Sequence, residues 1–162
     1  MGGGIKVSEY ETASEIEIAI ARHFGIPSHL SIPNVSWGFF IHECDVAVVT
    51  PSHYFYEVEI KISKQDLIRD KEKHHGHEDE RIKQLWFAIP EKLLPYIEHI
   101  PDHAGILMVS KKGYIKRIKP ARINKYVQPL TEKDCYRLAR LGAMRIWSLK
   151  ERIKELETRV NK

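Results

Sequence analysis

Residues 54–62 read YFYEVEIKI, and no other stretch constrains the fold so tightly. Successive side chains of a strand point to opposite faces, so Glu57, Glu59 and Lys61 share one face while Tyr56, Val58, Ile60 and Ile62 share the other. The second face calls for a hydrophobic layer. The first carries two carboxylates that repel each other unless a cation or a basic group lies between them. Lys61 and a metal ion would both serve, and a solvated face with an internal ion pair is the plainer alternative. Just upstream, Asp45 opens the apolar run 46–49, an acid at the mouth of a strand that is otherwise core.

The flanking pattern is α/β. Residues 8–24 carry Ala13, Ile16, Ala19, Ile20 and Phe24 at helical spacing, with Thr12/Glu15 or Ser14/Glu17 as capping box and Gly25 as the stop. Pro27 and Pro33 then bracket an expected exposed connection, and the aromatic and β-branched stretch 37–50 predicts two short strands turned at Pro51-Ser52. Ser63 with Asp66 caps a helix running to about His75. Further on, 84–89 predicts a strand stopped by Pro90, 91–98 a short helix, and 105–110 a buried strand paired through Lys112-Gly113 with 114–118. The stretch 120–129 reads as a loop. From Thr131 a long helix runs toward Val160, with Ala139, Gly142, Ile146, Leu149, Ile153, Leu156 and Val160 at three-four spacing. That stripe suits a two-stranded homodimer seam or packing on the domain's own elements, and its length favours the dimer. The expected organisation is one domain over 1–128 and a terminal helix over 129–162.

With 162 residues, 43% of them hydrophobic, the chain can bury one ordinary core. No apolar run approaches the roughly 18 residues of a membrane span, and the glycines after Met1 are no secretory signal. Cys44 and Cys135 are too far apart in sequence and too apolar in setting to suggest a disulfide or zinc site. A soluble, cytoplasmic protein is the expectation. The net charge of +4 suits a polyanionic partner without demanding one.

Asp45 and Glu59, with the Ile60 carbonyl between Glu59 and Lys61, would form an oxygen-rich site for a hard divalent ion such as Mg²⁺ or Mn²⁺. In phosphodiester hydrolysis such an ion neutralises phosphate charge and acidifies a bound water, which a nearby lysine can orient. Asp45 followed by Glu59-Ile60-Lys61 matches the Asp…(Asp/Glu)-x-Lys signature, and the segments EIKISKQDLIRDKEK, RIKQLWFAIPEKL and IPDHAGILMVS resemble the MmcB-related branch of the PD-(D/E)xK nucleases and its phage-encoded relatives. The resemblance spans roughly residues 15–119. It implies an α/β, restriction-endonuclease-like core with a mixed sheet flanked by helices, and a nuclease acting on DNA in repair, recombination or phage DNA processing. Asp45 and Glu59 would be the metal acids, Ile60 would lend its carbonyl, and Lys61 would be the catalytic lysine. The glutamate that the superfamily often takes from its first helix is assigned to Glu15, with Glu17 competing; about 200° of helix separates them, so both cannot point inward. Cys44 stands where the motif's name has proline.

Around this constellation, Ser63, Asp66, Asp70 and Lys73 read first as a cap and a charged helix face, with Ser63 and Lys73 as candidate phosphate contacts. Lys111, Lys112, Lys116, Arg117 and Lys119 form a basic stretch that could track a DNA backbone or protect a sheet edge. His74, His75 and His77 with Glu78 lack a second ligand pair for zinc and read as a polar loop. Glu43 could be a supporting acid or an exposed strand residue, and Gln84 could reach the site. A catalytically silent DNA-binding or assembly module with the same fold is the alternative function.

Overall fold

The computed structural model describes residues 12–35, 43–72 and 80–161, and in them the chain forms a six-stranded mixed sheet flanked by helices, an α/β fold. Helix α1 (Ala13–Phe24) begins at Thr12, whose hydroxyl accepts from the Glu15 amide while the Glu15 carboxylate reaches back to the Thr12 amide. This reciprocal cap satisfies donors that the first turn cannot use internally. Gly25 ends the helix at a φ of 89°, a left-handed conformation that glycine adopts without a Cβ clash.

Strands β1 (Leu30–Val35), β2 (Cys44–Val49), β3 (Phe55–Ile60), β4 (Ile82–Pro90), β5 (Gly105–Val109) and β6 (Ile115–Lys119) lie side by side in chain order. β3/β4 and β4/β5 are parallel, and the other neighbours are antiparallel. Parallel neighbours need crossovers, supplied by α2 (Lys64–Glu72) and by a 3₁₀ segment, Glu91–His99. The usual right-handed sense of such connections puts both on one face of the sheet. Leu67 of α2 and Leu93 of the 3₁₀ segment accordingly share an apolar cluster with Ala47, Phe55, Leu85 and Phe87. The long helix α3 (Glu132–Val160) joins that face through Leu138, so the terminal element is tied to the core by its first half. On the opposite face Ile16, Ala19 and Ile20 of α1 pack against Val46, Val48, Val58, Ile60, Ala88 and Leu107.

One expectation is corrected, and one lies partly outside the described residues. β1 runs through Pro33, within the stretch read as an exposed connection; β1 is an edge strand, where the missing proline N–H leaves no ladder bond unmade. The region expected to hold two strands contributes one, β2, to the described residues, and 36–42 lie outside them. Among the described residues, no helix is long and apolar enough to cross a membrane.

The carboxyl ends of β3, β4 and β5 point the same way, and the antiparallel pairings bring the amino end of β2 and the β5–β6 turn to that same end of the sheet. The acid cluster lies there.

Candidate functional site

β2 and β3 pair from Val49–Phe55 to Val46–Val58, and beyond that pair a side chain joins the strands: Asp45 Oδ2 accepts from the Ile60 amide at 2.7 Å. The alternation of β3 is as expected, with Glu57 and Glu59 on the face of Phe55, but both glutamates are buried, 0% and 7% exposed. A solvated ionic face is thereby excluded. The Lys61 amide donates to the Ala88 carbonyl at 3.1 Å, holding β3 against β4 one residue past Ile60. From there the Lys61 ammonium lies 3.0 Å from Glu59 Oε2 and 2.7 Å from Asp70 Oδ1 of α2, all three side chains being about a tenth exposed.

These contacts set the charges. Burial raises the Glu59 pKa, Lys61 draws it down, and Asp45 and Glu57 raise it again, leaving it at about 7. Burial opposes the Lys61 charge, but Glu59 and Asp70 together outweigh it and raise its pKa, so the ammonium persists throughout the neutral range. Cys44 is pushed far up by burial and by the surrounding Glu57, Glu59 and Asp45, which keeps its thiol protonated and unreactive.

Helix α1 supplies one further acid, and it is not the one assigned from sequence. Glu15 is held in the cap, its Oε2 accepting from the Thr12 amide at 3.1 Å and from the Thr12 hydroxyl at 3.0 Å. Glu17 is instead the α1 acid within electrostatic reach of Asp45. Its Oε1 accepts from Asn34 Nδ2 at 3.3 Å, and its pKa is raised by burial and, after that bond lowers it, by Asp45. The capping box decided between the two, because 200° of helix cannot bring both to one side.

Asp70, read from sequence as part of a charged helix face, belongs to the site. The available signal was its place three residues after Leu67, the fully buried residue of α2, which turns both toward the sheet. Ser63 lies at this end of the sheet, but its hydroxyl is engaged in the α2 cap, donating to Asp66 Oδ2 at 2.7 Å and accepting from the Asp66 amide at 3.2 Å. Lys73 and the histidines at 74, 75 and 77 lie outside the described residues. Gln84 does not reach the site; it sits four residues before Ala88 on β4 and accepts from Trp86 Nε1 at 3.1 Å. Glu43 is exposed.

The basic stretch is divided. Lys111 and Lys112 occupy the β5–β6 turn, at the acid-cluster end of the sheet. Lys116 follows opposite Met108, and Arg117 lies close enough to His23 of α1 for its charge to add to the burial that lowers that imidazole's pKa. Lys119 is at the far end of the sheet, opposite Ile106, where it donates to the Asp102 carbonyl at 2.6 Å and to Asp102 Oδ1 at 3.2 Å.

Among the described residues, no three Asp, Glu, His or Cys side chains are placed to share one ion. Mg²⁺ does not require three, since it is commonly bound by one or two carboxylates together with water and substrate phosphate. Asp45 and Glu59, with the Ile60 carbonyl, would be the residues to supply such a pair. The upward push that Asp45 and Glu57 give the buried Glu59 carboxyl is the repulsion that a hard cation would relieve. The donor set therefore fits such an ion.

No model of a known protein family matches the chain, and no curated protein matches it. Among solved structures it is similar to SPO1766, a protein of unknown function from Silicibacter pomeroyi, with a TM-score of 0.62 at 16% sequence identity over 94% of this chain and 96% of that one. At this identity the likeness shows a shared α/β fold spanning nearly the whole of both chains.

Proposed function

We propose that the chain is a metal-dependent nuclease of the PD-(D/E)xK type that hydrolyses phosphodiester bonds in DNA. One observation carries the reading: Asp45 on β2 and Glu59-Ile60-Lys61 on β3 converge through the Asp45–Ile60 hydrogen bond at the carboxyl end of β3 in a mixed sheet. Asp45 and Glu59 would hold Mg²⁺ or Mn²⁺. The bound ion would supply neutralisation of the scissile phosphate and a lower pKa for the attacking water. Lys61, kept cationic by Glu59 and Asp70, orients that water and stabilises the charge that grows on the phosphoryl oxygens. The new bond forms between the water oxygen and phosphorus as the water releases a proton to solvent, the bond to the leaving oxygen breaks, and that oxygen takes up a proton from solvent. Lys111 and Lys112, in the turn at the same end of the sheet, are suited to hold the flanking phosphates.

The test incubates the protein with labelled linear, single-stranded and branched DNAs in Mg²⁺, Mn²⁺ or chelator, beside Lys61→Ala. Cutting that needs metal and is lost in the variant is the expected result. DNA binding without cutting in any metal would replace this reading with the silent DNA-binding or assembly module.

A further inference from the structure

The second half of α3 leaves the domain. Up to Arg145 the helix lies on β1: Leu138 is fully buried, a Cβ at Gly142 would stand 3.5 Å from Ile32, and Arg145 donates from Nη2 to the Asn34 carbonyl at 2.8 Å. From Ile146 to Val160 every residue is exposed, a length of about 22 Å. Along it Ile146, Leu149, Ile153, Leu156 and Val160 are between 47% and 84% exposed. They continue the stripe that rests on β1 upstream. β-Branched residues at 146, 153 and 160 alternate with leucines at 149 and 156, the order in which two helices interlock as a coiled coil.

The flanks select the occupant. Positions beside the seam are Arg145, Lys150, Arg152, Glu157 and Arg159, four cations to one anion. A second copy set antiparallel with Ile146 against Leu156 and Leu149 against Ile153 brings Lys150 near Lys150 and Arg152 near Arg152. Set parallel, it opposes Arg145 to Lys150 and leaves Arg152 with Glu157 as its one attractive flanking pair against an excess of three cations on each copy, and its own residues before 146 would need the space already taken by the β1 side of the sheet, because the free seam and the packed stripe share one side of α3. The contact made within the chain, Arg152 to Glu155 at 3.8 Å with both side chains more than half exposed, is weak and readily exchanged. We propose that residues 146–160 dock an acidic amphipathic helix of another protein, its apolar ridge on the Ile/Leu seam and its carboxylates on Arg145, Lys150, Arg152 and Arg159.

The test uses the full chain and two labelled three-heptad peptides with the same Ile/Leu seam, one with Glu and one with Lys at the flanking positions. Fluorescence anisotropy should show saturable binding of the Glu peptide at least tenfold tighter than of the Lys peptide, weakening with salt. The doubly substituted Leu149→Asp, Leu156→Asp chain should lose it with an unchanged circular dichroism spectrum, since both leucines are exposed. Light scattering on the chain alone should give a monomer. A dimer dispersed by the same substitutions would make a second copy the occupant and overturn the proposal, as would a monomer that binds neither peptide or binds both equally.

Discussion

Lys61 stands between acids from two elements, Glu59 of its own strand and Asp70 of α2, and the second contact is the one that fixes where its ammonium points. Glu59 follows Lys61 wherever β3 goes, whereas Asp70 ties it to a separate helix. Under the nuclease reading, Asp70→Asn should lower the cleavage rate by about 100-fold, since roughly an ångström of misplacement at a reacting centre has that effect, and should cost about 1–3 kcal/mol of stability. In a Lys61→Ala background the same change should have no further effect on rate; additive losses would show that Asp70 acts independently of the lysine. The shared face of Glu57, Glu59 and Lys61 was legible in the sequence because a strand's period of two leaves no freedom about which side chains share a face, and Asp45 stood out as an acid opening an apolar run. Glu17 stood second to Glu15 because either glutamate could close a capping box, and only the structure shows that Thr12 takes Glu15 as its partner. Asp70 was hidden because charged helix residues are ordinarily solvated, and only the burial of Leu67 reveals which side of α2 faces the sheet.

Among elements, the parallel run β3–β4–β5 is what gathers the cluster, since it turns three carboxyl ends toward one edge. Gly105 opens β5 opposite Trp86, and a Cβ there would come within 2.4 Å of the indole ring and 2.7 Å of the Ala121 backbone nitrogen. The ring is buried and the backbone belongs to the segment leaving β6, so neither can yield cheaply. Gly105→Ala should destabilise the fold by about 1–3 kcal/mol, read as a lower midpoint in urea with an unchanged slope. A midpoint shift under about 0.5 kcal/mol would mean that the indole moves freely. The strands and helices with clean periodicity, β3 through α3, were readable because composition, turns and spacing agree. β1 was not, because LSIPNV carries a proline and a turn-former, and only its place at the sheet edge makes them harmless. That edge position is a fact of tertiary pairing, absent from local sequence.

For the whole molecule, the acid cluster makes stability depend on pH in a sense opposite to that of ordinary salt-bridged carboxylates. The Glu59 carboxyl titrates near 4.5 in the unfolded chain and at about 7 in the folded one. Below 4.5 both states hold the proton; between 4.5 and 7 the unfolded chain releases it first, so the unfolded state gains and stability falls as pH rises; above 7 the penalty is complete. The shift corresponds to about 3 kcal/mol, and Glu17, raised in the same direction, adds to it. Thermal melts in chelator should therefore show a lower midpoint at pH 8 than at pH 5, and Glu59→Gln should flatten most of that difference. A divalent ion competes with the proton for the same carboxylates, so Mg²⁺ or Mn²⁺ should raise the midpoint at pH 8 and do little at pH 5. If the melts at pH 8 ignore both ions while the chelator-only difference stands, the acids repel one another as described but hold no metal, and the cluster then serves the silent form of the fold.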